Sequence, residues 1–221
     1  TVLIDAFESF GFEKVDIYIP NRFVEGYGLT VEAVEKIAAT GAQLIVTVDC
    51  GSLSEKEIIR AKELGVDVIV TDHHNVAPVQ PPAVAVINPK RLLQDCPDAY
   101  DGYTLRKEFK VQDVANREGR TVPGSGLYPF LDLAGVGVAF KLVQALQTRL
   151  EGLPTGQEKW LLDLVALGTV CDIVTLVDEN RANVYWGLKV MAKTRRPGLR
   201  ALMAVAGVEP EKVSARSLGF G

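Results

Sequence analysis

The sequence predicts an α/β fold: a parallel, Rossmann-like sheet with flanking helices, followed by a mainly helical C-terminal part. Three observations carry that expectation. Short β-branched runs alternate with helical patterns over roughly the first ninety residues. The stretches between those runs are long enough for crossover helices, which parallel neighbours require. From about Pro129 onward the apolar periodicity is helical.

Taken in order, Val2, Leu3, Ala6, Phe7 and Phe10 recur at helical spacing, and Gly11 follows as a stop. Val15 to Ile19 reads as a short strand closed by Pro20, with Asp16 inside it. Thr30 caps a helix that runs to about Ala39 and ends at Gly41. Leu44 to Val48 is a continuous apolar run, the pattern of a strand buried on both faces. Ser54 to Glu57 has the form of a capping box, opening a helix to Leu64 with Gly65 behind it. Val66 to Thr71 and Val84 to Ile87 complete the strands. Residues 94–128 are polar and rich in Asp, Gly, Pro and Arg, which suggests a surface insertion. Leu133 to Leu150, Lys159 to Gly168, Asn180 to Lys193 and Gly198 to Ala206 are patterned as helices. The expected organisation is one domain over 1–221: an α/β core at 1–93, the insertion at 94–128 and a mainly helical part at 129–221. A start at Thr1 within a helical pattern, and an end at Ser217 to Gly221, suggest a domain cut short at both ends.

Composition excludes several classes. With 48% hydrophobic and 24% charged residues the chain is ordinary for a globular protein. No apolar run is long enough to cross a bilayer, and no secretory pattern opens the sequence, so no membrane partner is expected. Cys50, Cys96 and Cys171 lie far apart, which suits neither a disulfide framework nor a zinc site and points to a cytoplasmic location. A net charge of −4 rules out binding polyanions by bulk charge, although a local groove can still be basic.

The sharpest feature is Asp72-His73-His74, which holds the chain's 2 histidines directly after a predicted strand. In parallel sheets, binding groups gather beyond the carboxyl ends of strands. Asp49 stands at the equivalent point of the preceding strand. Ends of adjacent strands lie roughly 5 Å apart, or about 10 Å with one strand between, so both residues can reach a common ion. Taken singly, the Asp is a turn former and the His pair a solvated loop. Taken together, imidazole and carboxylate form a ligand set for manganese, iron or zinc rather than calcium. Asp172, set among apolar neighbours from Gly168 to Val174, needs a cation or donors if buried, and pairing with Arg181 is the alternative. Arg22, in a loop after a strand, is a candidate for a substrate phosphate or simply a surface residue. Lys193, Arg195, Arg196 and Arg200 form a basic cluster that suits either nucleic acid or a helix C-terminus. Gly135-Val136-Gly137 opens a helix in an apolar stretch and reads as close packing rather than a phosphate loop.

These segments resemble the DHH phosphoesterase superfamily, for which Asp72-His73-His74 is the signature, and within it the RecJ-like nucleases. The likeness runs through Ile19 to Leu29, Thr47 to Gly51, Val70 to His74, Ile87 to Lys90, Leu133 to Ala139 and Gly168 to Arg181. It implies two divalent ions, Mn2+ with Mg2+ as the alternative, held by Asp49 as bridge and by His73 and Asp172. It further implies that His74 meets the scissile phosphate or leaving group, that Asp72 orients histidine, and that Arg22 contacts substrate. The implied reaction is metal-dependent hydrolysis of single-stranded DNA from its 5′ end, in DNA repair and recombination. Short oligonucleotides or cyclic dinucleotides are the alternative substrates, and an inactive binding module is the alternative fate. The family's Asp-x-Asp motif and C-terminal domain are not in these 221 residues. Asp5 and Asp16 do not replace that motif, so weak metal binding and little turnover are expected of the chain alone.

Overall fold

The computed structural model describes residues 1–106 and 127–220. Its centre is a parallel sheet of β1 (Leu44–Val48), β2 (Asp67–Thr71) and β3 (Ala85–Ile87), in that spatial order. Leu44 pairs with Asp67 and Val48 with Thr71, while Thr71 pairs with Ile87. The three strands therefore end level, and Asp49, Asp72 and Asn88 follow in a row along one rim.

Helices cover both faces. On one side α2 (Val31–Ala39) and α3 (Glu55–Glu63) lay Val34, Ile58 and Ala61 on Ile45, Val68 and Val70. On the other, α1 (Val2–Ser9) joins α5 (Gly135–Gln147) and α6 (Leu162–Cys171), burying Leu3, Phe140, Val143 and Val165 with Val46 against them. Helices α7 (Asp178–Met191), α8 (Pro197–Val205) and α9 (Ala215–Phe220) complete the helical C-terminal part. Gly11, Gly41 and Gly65 all take positive φ just past α1, α2 and α3, as helix-ending glycines do. Among the described residues no helix is long and apolar enough to cross a membrane.

Several elements differ from the sequence expectation. Val15 to Ile19 is not a strand: it runs irregularly, with Ile17 and Ile19 exposed and no partner strand among the described residues. Asp16 is therefore in a loop. Among the described residues β1 is at the sheet edge, and Leu44 and Val48 are exposed rather than buried on both faces. Ser54 sits at the head of α3 without accepting a capping bond, whereas Thr30 does cap α2, accepting from the Ala33 amide at 3.1 Å.

The expected insertion at 94–128 falls largely on 107–126, outside the described residues. Its described start is not a bare loop. After α4 (Arg91–Asp95), β4 (Tyr100–Asp101) and β5 (Thr104–Leu105) form a small antiparallel hairpin. Ala99 and Tyr100 pack there on the fully buried Leu131.

In the C-terminal part, Arg196 leaves the expected basic cluster. Its guanidinium reaches the buried Asp163 at 3.1 Å and also Asp5, tying α1 and α6 to the segment before α8.

Candidate metal centre

The rim of the sheet is built by backbone first. The Asp49 amide donates to the Thr71 carbonyl and the Asp72 amide to the Ile87 carbonyl, extending each ladder one residue past the strands. Asp49 then turns out of the sheet with φ of 65°, a left-handed conformation uncommon for any residue but glycine. Gly51, at φ 111°, completes the turn in a place where a side chain would collide with Thr47 and Val70.

That turn aims the Asp49 carboxylate at His73, whose Nε2 lies 2.9 Å from Asp49 Oδ1. Asp172, at the C-terminal end of α6, also approaches, with Oδ2 3.3 Å from the same nitrogen. Arg181, offered by sequence as the alternative partner of Asp172, makes no ion pair among the described residues. Potential ligand atoms of Asp49, His73 and His74 all lie within 4.8 Å of one another.

His73 is 6% exposed, yet neither of its ring nitrogens has an aligned hydrogen-bond partner among the described residues, and the same holds for Asp49 Oδ1. Burial alone would push the His73 pKa down. The close Asp49 carboxylate and the charge of Asp172 outweigh burial and hold it above 6.5. Burial raises the Asp172 pKa, partly opposed by His73, with Asp49 adding to the rise. Buried donors and acceptors crowded together without mutual satisfaction are what a cation site presents when its chemistry is left to protein atoms alone. The donor set fits a divalent transition ion.

Asp72 is differently employed. It is 2% exposed, and its carboxylate accepts from the amides of Ser52 (2.9 Å), His73 (2.8 Å) and His74 (3.2 Å). The His74 ring places Nδ1 2.8 Å from the same carboxylate. Burial works to raise the Asp72 pKa, but these donors win and hold it below the usual value. Asp72 thus fixes the His74 ring, whose side chain is 47% exposed, and not that of His73.

Two residues that the motif reading passed over brace this arrangement. Asn88 donates from Nδ2 to Ser52 Oγ at 2.8 Å and to the His74 carbonyl at 2.9 Å. Its signal was positional, since it follows β3 as Asp49 follows β1 and Asp72 follows β2. The other is Ser52, whose amide binds Asp72.

Arg22 lies in an exposed loop, its guanidinium 5.9 Å from the centre of the Tyr27 ring. Burial and the charges of Asp49, Asp172 and Asp72 raise the Tyr27 pKa, so this loop shares the electrostatic field of the rim. Cys50 is pushed up to about 11 by burial and by Asp72 and Asp49, which keeps it a neutral thiol.

A model of the DHH family, N-terminal domain, matches residues 1–169. The chain belongs to the DHH family. As a DHH protein it is 40% identical over 226 residues to the single-stranded-DNA-specific exonuclease RecJ of Escherichia coli (strain K12), covering 97% of this chain and 33% of that protein. It is also 40% identical over 207 residues to RecJ of Bacillus subtilis (strain 168), covering 94% of this chain and 21% of that one. The DHH fold here superposes on a crystal structure of exonuclease RecJ bound to manganese with a TM-score of 0.71 at 30% identity, over 99% of this chain and 46% of that one. RecJ of Thermus thermophilus in complex with Mn2+ gives 0.66 at 28% identity, over 99% and 26%. The chain therefore spans a third or less of the length of these curated relatives.

Proposed function

We propose that this chain is the metal-binding core of a RecJ-type, single-strand-specific DNA exonuclease that works in the cytoplasm in DNA repair and recombination. In this reading Asp49, His73 and Asp172 would hold two divalent ions, Mn2+ with Mg2+ as the alternative. The observation that carries it is the convergence of three residues remote along the chain: carboxylate oxygens of Asp49 and Asp172 lie 2.9 and 3.3 Å from Nε2 of the buried His73, and Asp49 Oδ1 and both His73 nitrogens lack aligned hydrogen bonds among the described residues.

Bound there, the cations would supply Lewis acidity and neutralise charge at the phosphoryl group. The protein's own contribution is orientation. Asp49 and Asp172 present anionic oxygens, and His73 presents a neutral nitrogen, so protons compete with metal and occupancy falls in acid. Asp72, ionised and saturated with donors, keeps His74 with Nδ1–H towards it. That leaves Nε2 to take up a proton, or to deliver one to a phosphate oxygen or leaving group. Arg22, in its exposed loop, would pair with a backbone phosphate of single-stranded DNA.

The test is hydrolysis by the full-length natural protein with Mn2+, on 5′-labelled single strands, duplexes and dinucleotides. Single strands should be degraded from the 5′ end, and His73→Ala or Asp172→Ala should remove at least about 99% of the rate, on the order of the 10²-fold lost when one group that stabilises transition-state charge is removed. Preference for dinucleotides would move the reading to the short-oligonucleotide alternative. Undiminished turnover by His73→Ala would sink the metal centre itself.

A further inference from the structure

Gly135, the first residue of α5, is buried and carries an ordinary backbone without positive φ, so its conformation does not call for glycine. Helix propensity argues for alanine there. What argues against a side chain is one neighbour. A Cβ on Gly135 would lie 2.2 Å from Asp49 Oδ1, 2.7 Å from Cγ and 2.9 Å from Cβ. The Asp49 carboxylate occupies the space the missing side chain would fill. Gly137, two residues on, is the contrast: its Cβ would meet only Leu133, at 3.4 Å or more.

We propose that Gly135 is the positioning residue for Asp49, a bare seat against which the carboxylate is held at the distance the metal centre needs. This rests on the metal-centre reading above. Two constraints then act on Asp49 from opposite sides. Its left-handed backbone, at φ 65°, swings the side chain off the end of β1. The surface of α5 stops it, with Oδ1 2.9 Å from His73 Nε2. With alanine at 135, Oδ1 would have to retreat by about 0.8 Å merely to reach 3.0 Å from the new Cβ (3.0 minus 2.2). Metal–ligand distances tolerate about 0.2 Å. The carboxylate cannot satisfy both.

The experiment is Mn2+ titration calorimetry on the full-length natural protein, with thermal melts in EDTA beside it. Gly135→Ala should weaken Mn2+ binding about 10- to 100-fold, the range found when groups that orient ligands are lost, whereas Gly137→Ala should stay within about 3-fold. In EDTA, Gly135→Ala should lower the melting temperature in the native background but not beside Asp49→Gly, where the obstructing carboxylate and the Cβ at 2.9 Å are both gone. That double variant also covers the case in which Gly135→Ala alone does not fold. Native-like Mn2+ affinity in Gly135→Ala, or an equal loss of melting temperature in both backgrounds, would overturn the proposal. Should the native protein take up no Mn2+ at all, the metal-centre reading fails, and the comparison of melts still decides whether Gly135 seats Asp49.

Discussion

Ile173 directly follows Asp172 and holds φ at 58°, although it is β-branched and 90% exposed. It occupies the position just past the C-cap of α6, where helices commonly end on a left-handed glycine. Its amide still donates to the Val170 carbonyl at 3.2 Å, so the turn is a functioning helix end. A left-handed conformation costs an L-residue about 1–2 kcal/mol, and a side chain this exposed regains almost nothing by burial. Replacing Ile173 with glycine removes that cost and returns about 0.5–1 kcal/mol through a more flexible unfolded chain. The net expectation is a gain of about 0.5–1 kcal/mol, or about 1–4 °C for a domain of this size. Urea and thermal unfolding in EDTA read it directly, with Ile173→Ala as the control that keeps the strain and should show no gain. Mn2+ affinity should stay within about 3-fold, because α6 and not Ile173 carries Asp172. Destabilisation of Ile173→Gly by more than about 0.5 kcal/mol would refute the reasoning, since the isoleucine would then be making contacts that outweigh its backbone cost.

Three further outcomes are expected. Arg196→Met should cost about 2–4 kcal/mol, because Asp163, with 3% of its side chain exposed, loses its cation and keeps only Thr194 and the Leu164 amide. Asp5→Ala, on the open side of the same arginine, should cost no more than about 1 kcal/mol, and equal losses in chemical denaturation would contradict this division. Gly187→Ala should cost about 1–3 kcal/mol by forcing α6 and α7 apart, since its Cβ would meet the Leu162 carbonyl at 2.2 Å and Ala166 Cβ at 2.4 Å. Gly198→Ala, facing open space in α8, should be neutral or stabilising in the same melts. Finally, burial pushes Tyr100 up to about 12 from 10.0. A raised acid pKa in the fold gives stability that is complete below about pH 10 and is lost between about 10 and 12. Tyr100→Phe should flatten that alkaline loss, and an unchanged pH–stability profile would disprove its origin.

The α/β core was legible because strand ends are local signals: a β-branched run, then a polar residue, repeated at Val48-Asp49, Thr71-Asp72 and Ile87-Asn88. What failed to show is what depends on neighbours. Leu44 to Val48 has the composition of a central strand, but among the described residues β1 lies at the edge, and no local pattern records which strands stand beside it. Val15 to Ile19 has the residues of a strand without a described partner, and β propensity is largely a measure of packing on neighbours. Asp172 could be marked as a carboxylate in need of a partner, yet whether Arg181 or His73 met it was decided by how α6 lands on the sheet. Arg196 looked like part of a cationic surface until tertiary packing set it against Asp163. The roles of Asn88 and Gly135 are tertiary in the same way, since each is defined by an atom brought from a distant segment.

The rim sorts its polar groups into two kinds, and that division links stability to the proposed function. Asp72 and Asn88, at the ends of β2 and β3, are buried and saturated, each with several donors or acceptors at 2.8–3.2 Å. Asp49 Oδ1 and both His73 nitrogens, packed against them, are left without aligned partners. A buried polar group without an aligned partner costs about 1–3 kcal/mol. A divalent ion removes the penalty only in the folded state, so metal and folding must be coupled. At Mn2+ about 100-fold above its Kd the chain should gain about 2.7 kcal/mol, or about 5–11 °C in melting temperature relative to EDTA. His73→Ala should lose that gain while remaining folded, because it deletes unsatisfied atoms rather than satisfied ones. Asn88→Ala should do the reverse, melting early in EDTA as its bonds to Ser52 and His74 are lost. If both variants lowered the EDTA melt equally and both kept the Mn2+ gain, braced and unbraced groups would be indistinguishable, and the rim would be scaffold alone.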